Sequence, residues 1–391
     1  ARAFAVFNSG RPRPVHIELP LDVITADADH VRRAVLPGSS RPAPDSQKIA
    51  EAARLLRAAR RPLAVFGGGA QHAAESARAV VEKLGALAVT TINGKGILPP
   101  DHPLSLGSTL PQPPVLDELT HADVVLAVGT ELGETDTLLF DSRLELGGKV
   151  IRVDIDPEQL TRNVLAEVAI LSDSDLALRA LGSALQDHKA DLSAAKARAQ
   201  SLRPKLDALL TPPQRAHQRF LAAIQAALPD VIVVGDSNQP VYSGNLTYQA
   251  GRPRSYFNSS TGYGTLGYAL PAALGAKLAQ RERPVVSLIG DGGLQFTIGE
   301  LSTAVELGLP VPVLVWNNRG YGEIKKYMAE RGIPQIGVDI YTPDFLTIAR
   351  GFGCGAVRAE GLAHLQEQLR LAHRAKGPTV IEIDEAAALT W

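Results

Sequence analysis

The chain has one cysteine, Cys354, and one methionine among 391 residues, and only 5% of its residues are aromatic. A lone cysteine excludes an intrachain disulfide framework and any metal site built from several thiolates. It leaves Cys354 reading as a small core residue. Neither sign of charge is in excess: 40 Lys and Arg stand against 41 Asp and Glu, for a formal net charge of −1. Nothing in that balance favours nucleic acid or an anionic membrane as a partner. No uninterrupted apolar run approaches the roughly 18 residues that a membrane-spanning helix needs. The N-terminus lacks a secretory signal pattern, so a cytoplasmic location is the expectation. Short-period repeats and low-complexity tracts are also missing. What is there, 45% hydrophobic and 21% charged residues, is the composition of a globular enzyme long enough for two or three domains.

Apolar runs at 63–66, 87–91, 124–128 and 150–155 alternate with helical patterns. The first of these patterns opens at Asp45-Ser46, residue types that cap helix N-termini. The alternation predicts a doubly wound parallel-sheet α/β domain over 45–186. Residues 31–45, rich in Pro, Ser and Gly, read as a linker. Residues 187–213 read as a charged helical connector ending at Pro212-Pro213. A second doubly wound α/β domain is expected over 214–391, with strands at 231–234, 285–289, 311–316 and 379–383. Residues 1–30 stand apart, with a loop at Ser9-Gly10-Arg11-Pro12 and a short strand over 15–20 that has no partner nearby in sequence.

Two strand ends carry the chemistry. Gly290-Asp291-Gly292-Gly293 follows one apolar run and Asn317-Asn318-Arg319-Gly320 follows the next, with a helical stretch between. In a parallel β-α-β unit both strand ends reach the same edge of the sheet, so Asp291 and Asn318 should meet. A carboxylate, an amide oxygen and a nearby backbone carbonyl are hard ligands suited to Mg²⁺ or Ca²⁺. The glycines would let the backbone approach phosphate oxygens closely. Asp236-Ser237-Asn238-Gln239 follows another strand at the same edge, where its hydroxyl and amide groups could contact a diphosphate or cap a helix. Gly67-Gly68-Gly69 also follows a strand, but His72 occupies the third position of a dinucleotide fingerprint and no ribose-binding acid follows. A tight turn is the better reading.

The spaced pair of motifs resembles that of thiamin diphosphate-dependent enzymes, in which GDG is followed after about two dozen residues by NN. The resemblance implies that Asp291, Asn318 and the Gly320 carbonyl bind Mg²⁺, and that Gly290, Gly292, Gly293, Ser237, Gln239 and Tyr321 contact the cofactor. The segment Gly262-Tyr263-Gly264-Thr265-Leu266-Gly267 is similar to the one that bends the cofactor in that family. By that likeness Leu266 wedges between the two rings and the Gly264 carbonyl accepts a hydrogen bond from the aminopyrimidine. Glu323 would overhang the substrate side, either pairing with a cationic tail or standing in solvent at a helix start.

The implied reaction is decarboxylation of a 2-oxo acid through a cofactor-bound enamine. The alternatives are carboligation of pyruvate, as in acetolactate synthases, or a non-catalytic protein that only binds the cofactor. The phrases around 264–268 and 319–323 look closer to 5-guanidino-2-oxopentanoate decarboxylases, which points to a cationic guanidino substrate. Acetolactate synthase-like members also bind FAD in the central domain, and Val153-Asp154-Ile155-Asp156 is similar to theirs. The M-H-G-T phrase found upstream in those members is missing before Asp123-Val124, so the likeness to FAD binders stops there. Finally, Ser9-Gly10-Arg11-Pro12 with Pro20, Asp22 and Val23 resembles the close of the family's pyrimidine-binding domain. Most of that domain, with the glutamate that serves as proton relay, would then lie outside 1–391. The complete enzyme would be a homodimer or homotetramer, and the fragment alone would be inactive.

Overall fold

The computed structural model describes residues 2–31, 38 and 40–391. Part of the linker expected over 31–45 lies outside the described residues. Two parallel sheets organise the rest. The first holds β1 (Pro62–Phe66), β2 (Leu87–Thr90), β3 (Val124–Val128), β4 (Lys149–Asp154) and β5 (Val168–Leu171) in the order β2-β1-β3-β4-β5. The second holds β6 (Ile232–Gly235), β7 (Tyr256–Asn258), β8 (Val285–Gly290), β9 (Pro312–Asn317), β10 (Gly355–Arg358) and β11 (Thr379–Asp384) in the order β10-β11-β9-β8-β6-β7. Every residue of β1, β3 and β9 is buried. That is why these strands read as unbroken apolar runs: helices cover both faces of a parallel sheet. Phe66, Leu126 and Ile151 pack on one face of the first sheet, and Val65 and Val125 on the other. Burying each such side chain contributes about 1.5–3 kcal/mol. Cys354 is buried in the second core, and burial pushes its thiol up to about 11.

Several expectations are corrected. No strand forms over 15–20; those residues are extended and exposed, and the flanking helices are Arg2–Ser9 and Leu21–Ile24. Pro12, Pro14 and Pro20 withhold donors from a ladder there, and no partner strand lies alongside among the described residues. The segment is tied down by charge instead, with Arg13 bonding Asp156 at 2.7 Å and Glu158 at 3.1 Å. Pro212-Pro213 does not end the connector. It forms the first turn of the helix Pro212–Ala227, where a missing N–H costs nothing, and Thr211 and Gln214 close a capping box. The connector proper is the helix Ser193–Ala208, which buries Ala195, Ala199 and Leu202 against the first sheet. The helical stretch after β8 is two helices, Asp291–Thr297 and Glu300–Glu306.

The halves of the molecule touch through buried polar groups. Lys95 donates to the Tyr248 carbonyl at 2.9 Å, and Ser108 donates to the Asn245 carbonyl at 2.7 Å. Burial without a carboxylate partner brings the Lys95 ammonium down to about 7. The order of strands reverses between β1 and β3 in the first sheet and between β6 and β8 in the second, where it also reverses at β11. Such a reversal opens a crevice at the carboxyl edge. In the first sheet the crevice is filled by its own turns. A Cβ on Gly67 would lie 2.2 Å from the Gly129 carbonyl oxygen, and one on Gly69 2.9 Å from the Gly129 Cα. The crevice of the second sheet is open.

Candidate functional site

A cleft of about 450 Å³ sits at the carboxyl edge of β6, β8 and β9. Its walls are the segments that leave these three strands, together with the 260–266 loop. Parallel pairing of β8 with β9 sets Gly290 opposite Trp316, so the residues just beyond, Asp291 and Asn318, are brought together as the spacing predicts.

Asp291 is 2% exposed, and burial raises its carboxyl above the ordinary range against the opposing pull of the Gly292 and Gly320 N–H groups. One carboxylate oxygen accepts from the Gly320 N–H at 3.0 Å and from the Thr342 hydroxyl at 3.4 Å. The other lies 3.3 Å from the side-chain amide of Asn318, and that amide lies 2.8 Å from the Gly320 carbonyl oxygen. With its NH₂ turned inward Asn318 would donate to both. With its oxygen turned inward, three oxygens converge with no proton between them. Only a cation satisfies that second arrangement, and the donor set is the hard oxygen type that suits Mg²⁺.

Glu385 stands on the outer side of the Asn318 amide. Its carboxylate accepts from the Trp316 indole N–H at 2.5 Å and faces the Asn318 nitrogen at 3.5 Å. Without a cation the inward contacts at 3.3 and 2.8 Å favour the NH₂ inward; a bound cation would turn the amide so that its oxygen faces Asp291 and its NH₂ faces Glu385. The neighbouring Asn317 donates to Glu382 at 2.7 Å, so both asparagines are held by acids of β11 or the residue just after it. Sequence reading missed Glu385 and Thr342. Neither has a local motif, because each meets the site only through the fold.

The glycines of the motif answer to crowding inside the protein. A Cβ on Gly292 would stand 2.7 Å from the Tyr321 ring, and one on Gly293 2.9 Å from the Asp236 carboxylate. Gly290 has ordinary clearance. Close approach to phosphate is thus not the feature that requires glycine at 292 and 293. Tyr321 is held by its N–H on the Val338 carbonyl at 2.9 Å, with its ring over Gly292.

On the β6 side, the fully buried Asp236 accepts from the Gly267 N–H at 2.7 Å and the Ser237 N–H at 2.8 Å. Burial raises this carboxyl too. It pins the turn in which Gly264 and Gly267 have φ of +68° and +85°, conformations that favour glycine. Leu266 is half-buried between them and lines the cleft. The Ser237 hydroxyl sits 3.3 Å from the Gly264 carbonyl. Asn238, not its neighbours, caps the helix Gln239–Thr247, which leaves Ser237 and Gln239 facing the cleft. Gln239 donates to Glu323 at 2.5 Å, and Glu323 is exposed at the cleft's rim. Every site residue named from the sequence lies on this one cleft. Among the described residues no helix is long and apolar enough to cross a membrane.

Residues 49–181 match the family described as thiamine pyrophosphate enzyme, central domain, and residues 237–383 match thiamine pyrophosphate enzyme, C-terminal TPP binding domain. The chain is 43% identical over 391 residues to a probable 2-ketoarginine decarboxylase of Pseudomonas aeruginosa, covering 99% of this chain and 69% of that protein. It is 31% identical over 401 residues to the acetolactate synthase large subunit of Parasynechococcus marenigrum, covering 98% and 64% respectively. A benzoylformate decarboxylase from Polynucleobacter necessarius shares the fold with a TM-score of 0.78 at 23% identity, over 98% of this chain and 72% of that one. The chain spans about two thirds of the length of these curated relatives.

Proposed function

Because the chain belongs to the thiamine pyrophosphate enzymes, we propose that it forms the Mg²⁺ and diphosphate site of an enzyme that decarboxylates a 2-oxo acid with a guanidino side chain. The observation that carries this reading is the convergence of the Asp291 carboxylate, the Asn318 side-chain amide and the Gly320 carbonyl at the end of β8 and β9. These three would hold Mg²⁺. The Ser237 hydroxyl and the Gln239 amide would bind diphosphate oxygens, and Leu266 would press against the rings. When bound, thiamin diphosphate supplies the electron sink that lets carbon dioxide leave a 2-oxo acid. The protein's part is to anchor, to impose the bent shape and to keep water from the reacting face. We assign the full-length protein a homodimeric or homotetrameric form.

The guanidino substrate is supported by the 43% identity to the 2-ketoarginine decarboxylase, since 2-ketoarginine is 5-guanidino-2-oxopentanoate. Carboligation of pyruvate is the second reading, supported by the 31% identity to an acetolactate synthase. The two separate in a side-by-side rate measurement on the full-length protein loaded with thiamin diphosphate and Mg²⁺. The first reading expects carbon dioxide release to be faster from 5-guanidino-2-oxopentanoate. Faster turnover of pyruvate with acetolactate as product would replace it with the second. Glu323 is exposed and already bonded to Gln239. An ion pair in solvent is worth about 0–1 kcal/mol, so Glu323→Gln should lower kcat/KM for the cationic acid by at most about fivefold.

Glu385 should act through Asn318. Second-shell partners of metal ligands typically change metal affinity by about 10- to 100-fold. Glu385→Ala should therefore raise the Mg²⁺ concentration needed for half-maximal cofactor binding by roughly tenfold or more. Quenching of Trp316, which lines the cleft, can follow that titration. An unchanged Mg²⁺ midpoint with a lower melting temperature would reduce Glu385 to a packing role.

A further inference from the structure

A second cavity, of about 260 Å³, adjoins the cleft; the two have Tyr242 and Ser260 in common. Its walls come from both halves of the chain. Ile92, Pro111, Leu138 and Phe140 come from the first, and Leu246 comes from the second. These side chains make most of the lining apolar. One acid, Asp136, stands among them. It sits in the short helix Glu134–Thr137 beyond β3 and is partly buried. Its carboxylate accepts one long hydrogen bond, from the Ile92 N–H at 3.4 Å, and makes no ion pair among the described residues. The buried cation Lys95 is spent on Ser108 and Tyr248.

A carboxylate with a single weak partner in an apolar cavity lacks either a proton or a counter-cation. We propose that this cavity is a binding site for a guanidinium or primary ammonium group carried on a short apolar stem, with Asp136 as the counter-charge. The volume suits a stem of a few carbons bearing one such head, and the Thr91 hydroxyl on the same wall can accept one of the head's remaining N–H groups. Arg-type heads pair best with a carboxylate whose oxygens are open, and Asp136 has one oxygen free and the other in a single 3.4 Å contact. Glu323 offers the opposite setting, an exposed carboxylate with one oxygen already engaged. Burial among these apolar groups pushes the Asp136 carboxyl up to about 6, with the Ile92 amide opposing and Glu131 adding to the rise. That is the response of a charge waiting for a partner.

Two sources could supply the head. One is the tail of a 2-oxo acid held in the adjoining cleft, a source that rests on the function proposed above. The other is a free amine or guanidine, which does not rest on it. The test uses the full-length protein with thiamin diphosphate and Mg²⁺, and n-butylguanidinium as probe with neutral n-butylurea as its isostere. The wild type should bind n-butylguanidinium at least tenfold more tightly than n-butylurea, and Asp136→Asn should remove that preference. Thr135→Trp, at the cavity's exposed rim, should block both probes and serves where Asp136→Asn folds poorly.

If the substrate tail is the occupant, n-butylguanidinium competes with 5-guanidino-2-oxopentanoate. Asp136→Asn then lowers kcat/KM for that acid at least tenfold while 2-oxohexanoate is unaffected. If a free ligand is the occupant, the probe binds without competing and both rates survive the substitution. A protein that binds the probe through Asp136 but turns over neither acid keeps the cavity and loses the proposed reaction. Equal affinity for the charged and neutral probes in the wild type overturns the proposal.

Discussion

Replacing Asp291 with alanine should abolish the stabilisation that thiamin diphosphate and Mg²⁺ give the full-length protein. Asp291 is the one carboxylate in the converging oxygen set, so its loss leaves two neutral ligands for a divalent ion. A ligand present at a hundred times its Kd adds about 2.7 kcal/mol to the folded state, and all of that should vanish. The sign in the absence of ligand is separate and equally telling. Burial already opposes the Asp291 charge. Asp291→Asn should therefore leave the unliganded protein as stable as the wild type or more so, because a buried charge with no cation is removed. Thermal melts with and without the two ligands give both numbers. A ligand shift that persists in either variant would take Asp291 out of the site.

Leu266→Ala should separate binding from turnover. Leu266 reaches the cleft from a turn pinned by Asp236 and is not one of the cation ligands. Its removal leaves the diphosphate contacts in place but takes away the body that would hold the rings bent. Holding a group in a strained conformation is worth about 1–3 kcal/mol, or roughly ten- to hundredfold in kcat. The thermal shift caused by thiamin diphosphate and Mg²⁺ should stay within a factor of a few of the wild type in apparent Kd. Leu266→Met, which restores bulk, should recover most of the rate. Parallel losses of affinity and rate in Leu266→Ala, without recovery in Leu266→Met, would make Leu266 an ordinary packing residue.

Which parts of the molecule could be read in the sequence follows from burial. β1, β3, β6, β8, β9 and β11 are flanked by strands and covered by helices, so each is a mainly apolar run, broken inside only by Ser287 in β8 and Glu382 in β11. The three strands that escaped, β5, β7 and β10, are all sheet edges, and each is only partly buried. An edge strand such as Gly355–Arg358 has water on one flank and needs no such run. The cation ligands were legible for a different reason. The end of a parallel strand is a fixed address, and two such addresses joined by one crossover are a predictable distance apart. Glu385, Thr342 and Asp136 have no such address. Glu385 lies just past β11, long after the motif, and Asp136 lies in a short helix beyond β3 of the other sheet. Their roles exist only once the halves are packed.

The contact between Gly67 and Gly129 has a consequence for how variation in this chain should be interpreted. At that crossing there is no room for a methyl group, and the obstructing atoms are backbone, which cannot swing aside. A saturation mutagenesis screen scored on growth or activity would therefore rank Gly67, Gly69 and Gly129 among the most intolerant positions in the molecule. They would stand beside Asp291 and Asn318, although their turns close a different crevice in the other sheet. Intolerance at the first group would be relieved by neither cofactor nor metal and would follow loss of folded protein, whereas intolerance at the second would leave folded protein in the cell. Abundance measured alongside activity tells the two apart, and without it a packing constraint in one half of the chain would pass for a second active centre.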